Sequence, residues 1–417
     1  MQLRQLLASL AVSILSTAAA AQSTWYVDVA APAGGNGSQA TPFNTLQQAV
    51  SAPAVVTGDT LLVAPGVYLS GAQLAPKGLT IRSTAGAGAT EVRLVNGGVG
   101  FQCSASGSSP LVTIEGFTIS GFAGQASSGV TGGNVLVRRC VIQGHSDPTG
   151  TGVGYGVFSW YDLFLENCTV TKNYIGADAG TFGGVVWSRN SIISGNQSVD
   201  LAGVTVLNYS LWNTDYLGTP WTNGNLNAVP RFWNASAGDF RLAPGSPCID
   251  AGNPTLVDPD GSRLDMGAFP FDASYAHPAQ AYCTAKQNSL GCTPAISAQG
   301  AASASSTSPF LIQCSNQISD RVGFLSYGFQ PLALAYQGGW KCVRAPNFRT
   351  TPQNSGGAPG GLDCSGVFTF DFNAHVRSGA HATLQPGIII YAQYWARDPA
   401  ASFANNRSDA LRFGLGL

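Results

Sequence analysis

Hydrophobic and polar positions recur along this chain at the interval of one coil. Four segments align in one frame, Ile114 to Ser120, Val137 to Gln143, Leu165 to Thr171 and Trp187 to Ile193, with starts 23, 28 and 22 residues apart. A weaker fifth copy runs from Val206 to Trp212. Each copy is a β-run bounded by Gly, Asn, Asp or Ser, which turn a chain through left-handed or Asx conformations. One such unit has no core of its own. Stacked at the strand spacing of about 4.8 Å, successive units bury a shared cylinder of Ile, Val, Leu and Phe. The pattern predicts a solenoid of roughly eight to ten coils, about 40 to 50 Å long. Ile114, Val137, Leu165 and Trp187 are expected to form one inward ladder, and Ile119, Ile142, Val170 and Ile192 another. The uneven spacing implies loops leaving the coils, most clearly from Gly144 to Gly156.

The same reading extends toward the N-terminus. Trp25 to Val29 reads as a first strand, and Gly58 to Tyr68 as turn, strand and turn. Leu79 to Ser83 and Val92 to Val95 are further strands. Between them Thr41 suits an N-cap, Pro42 the first helical position, and Phe43, Leu46, Ala49 and Val50 fall on one apolar face. A short helix there is expected to cover the open end of the solenoid, whose bare ladder would invite edge pairing. Ahead of it Arg4, the apolar run Leu6 to Ala18 and the small residues Ala19 to Ala21 read as a secretory signal peptide over residues 1–21. The mature chain is then expected to begin near Gln22 and to be secreted, extracellular or at the cell surface.

These residues carry a family resemblance. Trp25 to Asp28, the Gly/Asn loop, Thr41 to Val50 and Gly58 to Tyr68 look like the N-terminal cap and first coil of the pectin-lyase-like superfamily. Ser246 to Gly252 with Asp258 to Phe269 resembles the closing segment of secreted bacterial proteins of that type. The resemblance implies a right-handed parallel β-helix over residues 22–272. It carries no function, because such helices serve lyases, hydrolases, epimerases and adhesins alike.

Residues 273–417 change character. A low-complexity stretch, Ala301 to Ser308, precedes alternating segments at Gly323 to Tyr327, Val367 to Phe372 and Ile388 to Trp395. No long helical period is visible, which predicts a compact all-β sandwich. Tyr282 to Cys292, Gln337 to Val343, Asp363 to Ala374 and Tyr391 to Pro399 resemble a C-terminal module of secreted planctomycete-type proteins. Attachment or surface display is what that resemblance suggests.

Charge narrows the partners. Charged residues make up 10% of the chain, against about 25% in an ordinary globular protein. Residues 22–272 hold 10 Lys or Arg and 16 Asp or Glu, a balance of −6; residues 273–417 hold 9 and 5, a balance of +4. With no basic run, nucleic acid is excluded as an expected partner. Nor does any stretch after the leader suit a membrane span.

Among the nine cysteines, Cys140 and Cys168 share one frame position and either stack as thiols or bond. In the C-terminal part the expected pairs are Cys283 with Cys292 and Cys342 with Cys364, leaving Cys314 over. No Cys/His spacing suits zinc.

Candidate chemistry is sparse. Arg139, Asn167 and Arg189 share a frame position and are expected to line one face of successive coils, while Glu166 and Arg189 are not equivalent. Tyr155, Trp160 and Tyr161 on the inserted loop could stack on sugar rings beside them. Asp250, Asp258, Asp260 and Asp265 have the oxygen density of a calcium loop without the full twelve-residue pattern, so Ca2+ is a candidate ligand and a structural turn neutralised by Arg263 the alternative. His145 beside Asp147 could pair as acid and base, or be a plain loop turn. Asn213 to Asp215 matches one element of the polygalacturonase set, but the paired aspartates and the cationic element are missing. Two classes of function stand. One is a non-catalytic or weakly active protein facing an extracellular polysaccharide or cell-surface component. The alternative is a lyase or glycoside hydrolase acting on an acidic polysaccharide.

Overall fold

The computed structural model describes residues 22–417 apart from 75, 104–109, 123, 149, 151–153, 181–182, 204, 219–221 and 361–362. The stretch read as a signal peptide lies outside the described residues. Within them no helix is long and apolar enough to cross a membrane. The chain divides into two compact units, one reaching Ala228 and including Met266–Ala268, the other formed by Val229–Asp265 and Phe269–Leu417.

The first unit is a parallel β-helix. Three all-parallel sheets of eight, seven and six strands run along it, and each strand pairs with its counterpart one coil away. The first sheet begins at Thr24–Val27 and ends at Thr205–Asn208. At about 4.8 Å per strand its eight strands span about 34 Å, somewhat less than the repeat suggests. Alternate residues of each strand point inward: Ile114, Val137 and Leu165 are register partners, as are Ile119, Ile142 and Val170, and all six are buried.

The next coil corrects the expected frame by one residue. Leu165 pairs with Ser188, not Trp187, and Val170 with Ile193, not Ile192. Ser188 faces in, where its hydroxyl lies 3.1 Å from that of Ser210, and Trp187 faces out.

The corner from the first to the second sheet is a single left-handed residue. Gly116, Arg139, Asn167, Asn190 and Tyr209 all hold φ between 49° and 79°. The N–H groups of the first four donate to a carbonyl of the next coil: Arg138, Glu166, Arg189 and Asn208 in turn. The residue after the corner continues the ladder with side chains. Cys168 N–H donates to Ser191 Oγ, Ser191 N–H to Ser210 Oγ, and Ser210 N–H to Asn225 Oδ1. Cys140 and Cys168 occupy this column as buried free thiols. Buried amides are thereby answered coil to coil.

In the third sheet Gly100, Gly129, Gly156 and Gly176 stack in a column. A Cβ on Gly129 would stand 2.5 Å from the Gly156 carbonyl oxygen and 2.5 Å from Ile142 Cγ2. The aliphatic side chains of the second sheet fill the space that a side chain here would need.

The expected helix is present but starts later, at Leu46–Ser51. Thr45, not Thr41, is its N-cap, accepting the Gln48 N–H. Gln48 reaches back to the Asn44 N–H at 3.2 Å, a variant of the capping box. Phe43 instead bridges to Val27 as an extended residue. Phe43, Leu46, Ala49 and Val50 are buried in the helix core.

In the second unit a larger antiparallel sheet and a three-stranded one, Ala295–Gln299, Leu311–Gln317 and Gly366–Asp371, contribute to one core. Phe368 of the small sheet stacks on Tyr394 of the large one, centroids 5.3 Å apart. The sandwich expectation holds. Two disulfides cross-link it, but the partners differ from those expected: Cys283 bonds Cys342, and Cys292 bonds Cys364. Topology decides this. Tyr282 donates to the Cys342 carbonyl, placing Cys283 beside strand Gly339–Val343, while Asn288 holds Cys292 in a separate turn. Nearby the buried Lys286 ammonium donates to three backbone carbonyls, of Gln337, Ser402 and Asn405, at 3.0, 2.7 and 2.7 Å.

Candidate functional site

The outer face of the first sheet carries an apolar row where an outer face is ordinarily polar. The register aligns Leu136, Phe164, Trp187 and Val206 in one outward row. Two residues along each strand lies a second row, Glu115, Arg138, Glu166, Arg189 and Asn208. Side chains separated by two on a strand share a face, so the rows run side by side across the coils. With Leu111, all of these but Glu115 line an open groove of about 440 Å3.

Phe164 and Trp187 lie in the middle, 37% and 38% exposed. Their rings are inclined by 17° with centroids 6.2 Å apart, and the Trp187 indole N–H donates to Asp162 Oδ1 at 3.2 Å. The indole is thus oriented by a neighbouring strand rather than free to rotate. Apolar rings held at a surface are a feature of binding faces.

The charged row is internally compensated. Arg138 and Arg189 each reach Glu166 at 2.7 Å, from opposite sides and on different oxygens. Burial raises the Glu166 pKa, but the hydrogen bond and charge of Arg138, then those of Arg189, outweigh it, and the carboxyl sits below its ordinary range. Arg139 stands 4.0 Å from Glu115. Glu166 is the one carboxylate among the described residues lining the groove. Held ionised by two guanidinium groups, it is unsuited to donate a proton near neutral pH.

Of the residues expected to contact sugar, only Arg189 lies in this groove. Arg139 and Asn167 sit at the left-handed corner, one position past the row that contains Arg189. Glu166 and Arg189, read as non-equivalent, are register partners. Tyr155 belongs to third-sheet strand Tyr155–Ser159, not to a loop, with its ring 4.8 Å from Phe158. Trp160 packs edge-on against the same Phe158 at 5.4 Å, and Tyr161 occupies the turn before Asp162–Glu166. The three aromatics therefore belong to a strand and a coil turn and not to the body of the inserted loop, part of which lies outside the described residues. Leu136, Phe164, Arg138 and Trp187 were missed as a site. Their signal was an apolar residue followed two positions later by a charged one in successive copies.

The remaining candidates serve the backbone. Asp265 accepts the Asp250 N–H at 2.7 Å and the Phe271 N–H at 2.5 Å, and its own N–H donates to Asp258. Asp260 accepts the Ser262 N–H. Arg263 donates to the carbonyls of Gly252 and Ala251. Among the described residues no group of three His, Cys, Asp or Glu is placed to hold a metal ion. His145 is fully buried, 3.1 Å from Ser127 Oγ, and burial lowers its pKa to about 3. It is therefore a neutral core residue, not half of an exposed acid–base pair. Asn213 donates to Asn227 and to the Ala228 carbonyl, closing the last coil.

A scan against protein-family models finds no match, and no curated protein matches the chain.

Proposed function

We propose that this is an exported, non-catalytic carbohydrate-binding protein of the pectin-lyase-like kind, whose groove on the first sheet holds an extended glycan. The observation that supports this reading is the Phe164–Trp187 ring pair flanked by the Arg138–Glu166–Arg189 row. Rings offer apolar contact to pyranose C–H faces, and fixed polar groups beside them orient hydroxyls. Along the row Glu115 and Glu166 balance Arg138 and Arg189, so the groove suits an uncharged chain better than a polyanion. The leader-like segment and two disulfides favour export. A lyase or hydrolase reading has less behind it, since catalysis on sugars calls for a second carboxylate or an unengaged base beside the first.

Glycan-array screening of the secreted chain tests this. Wild type should retain at least one neutral polysaccharide, and Trp187→Ala should weaken retention about tenfold, the size of one lost ring contact, with melting unchanged. Release of unsaturated or reducing-end sugars from the bound glycan would refute the non-catalytic reading.

A further inference from the structure

A second surface, on the sandwich, is built from similar parts but with a different charge balance. Strands Val322–Gly328, Ile389–Arg397 and Asn405–Gly414 are neighbours in the larger sheet. On its outer face Phe324 pairs with Trp395, and Trp395 with Arg407. The two rings stack, 5.0 Å between centroids at 22°. Arg349, exposed on strand Asn347–Arg349 next in the sheet, lies over Phe324 at 5.0 Å. Arg407 lies over the exposed Tyr336 ring at 5.3 Å. The order across the sheet is therefore Arg349, Phe324, Trp395, Arg407, with Tyr336 of the separate hairpin strand Pro331–Tyr336 against Arg407.

The two arginines lack acidic partners. Among the described residues neither makes an ion pair, and the Arg407 Nε is buried without a hydrogen-bond partner. All five carboxylates of residues 273–417 are engaged elsewhere. Asp320 accepts from Asn354, Asp363 from Ser365, and Asp371 from the Ala374 N–H as a helix cap. Asp398 accepts from Ser289, and Asp409 from the Ile296 N–H. Burial and the like charge of Arg349 both disfavour the Arg407 cation. An anion supplied from outside would relieve both.

We propose that this face binds an acidic polysaccharide, its anionic groups taken by Arg349 and Arg407 and its sugar rings lying along Phe324, Trp395 and Tyr336. The spacing argues for a polymer over a single anion. The arginines stand on strands three spacings apart, about 14 Å at the backbone, so one ligand reaches both only if it carries repeated charges. Guanidinium groups suit carboxylates and sulfates through paired N–H donors, and stacking on a ring holds their planes. This inference is independent of the groove on the β-helix.

The test is affinity electrophoresis of the full chain through gels containing polygalacturonate or, in parallel, uncharged dextran. Polygalacturonate should retard the wild type and lose this effect as salt rises, whereas dextran should not act through this face. Arg349→Gln, at an exposed position, should weaken polygalacturonate retention at least about tenfold. Arg349→Lys should recover part of it, and Trp187→Ala in the β-helix should leave it unchanged. Equal retention of wild type and a folded Arg349→Gln/Arg407→Gln pair would overturn the proposal, as would equal retardation by dextran that depends on Arg349. A second readout needs no variant: bound polygalacturonate should protect Arg349 from phenylglyoxal, followed by mass spectrometry. Undiminished modification at saturating polymer would equally overturn it.

Discussion

The outer face of the first β-helix sheet and the outer face of the sandwich each pair two near-parallel aromatic rings with two arginines. In the helix a carboxylate, Glu166, stands between Arg138 and Arg189. In the sandwich a ring pair, Phe324 and Trp395, stands between Arg349 and Arg407. The same residue types thus make one compensated and one uncompensated surface. What separates two cations, more than how many there are, sets the charge a face shows to a ligand.

Reduction should break the comparison most strongly. Each sandwich disulfide closes a loop of 59 or 72 residues, worth about 4 kcal/mol on the chain-entropy account. Reductant should lower the melting of the second unit and abolish polygalacturonate retention. The β-helix, whose described cysteines are free and buried, should keep its melting and its neutral-glycan binding. A common shift of both transitions in calorimetry would defeat this separation.

Gly129→Ala should do the converse. Its new methyl would meet Gly156 oxygen and Ile142 Cγ2 at 2.5 Å, an overpacking cost of about 3 kcal/mol. Urea unfolding should show the β-helix transition alone moving to lower midpoint.

Asp265 and Glu166, one in each unit, should respond to acidity with opposite sign. Asp265 of the second unit has its pKa raised to about 6, by burial first, against the hydrogen bonds from Phe271 and Asp250. Its folded state binds more protons than the unfolded one from about pH 4 to 6, so this contribution to stability falls as pH rises through that window and Asp265→Asn should flatten the slope. Glu166, held below its ordinary value, contributes stability above its unfolded pKa that is lost as pH falls through the folded one. Comparing wild-type melting across pH 3 to 7 with that of Asp265→Asn and of Glu166→Gln isolates each contribution from that of His277, which burial lowers to about 4, with shifts on the order of a few degrees.

The smallest effect sharpens the comparison best. Glu166→Gln should leave stability within about 1 kcal/mol, since its partners are exposed. It should free Arg138 and Arg189 and add weak, salt-sensitive binding of dextran sulfate at the helix groove, a gain of a few fold measurable by titration in the Arg349→Gln background.

The first coils were legible in the sequence because their inward positions are aliphatic and their corners carry Gly, Arg or Asn at a constant offset. The frame slipped at Trp187 for a physical reason. Its outward row is itself apolar, so hydrophobicity no longer separates inside from outside, while Ser188 faces in and is satisfied by Ser210. That slip displaced the site, since it put Arg189 beside Arg139 and Asn167 in place of Glu166. The aspartates of 250–265 left calcium and a structural turn both open, because composition does not reveal that backbone N–H groups occupy oxygens of Asp258, Asp260 and Asp265. Disulfide partners were misjudged for a similar cause: nearness along the chain says little when an antiparallel sheet brings distant strands together.

The cage around Lys286 has a further consequence. Three carbonyl oxygens converging on one positive charge is a coordination problem that proteins also solve with a bound hard cation. Here the cation is tethered to the chain and its local concentration is fixed by a covalent stem. This loop closure cannot be stripped by a chelator or diluted away, and it owes nothing to the mineral content of the medium in which the protein works.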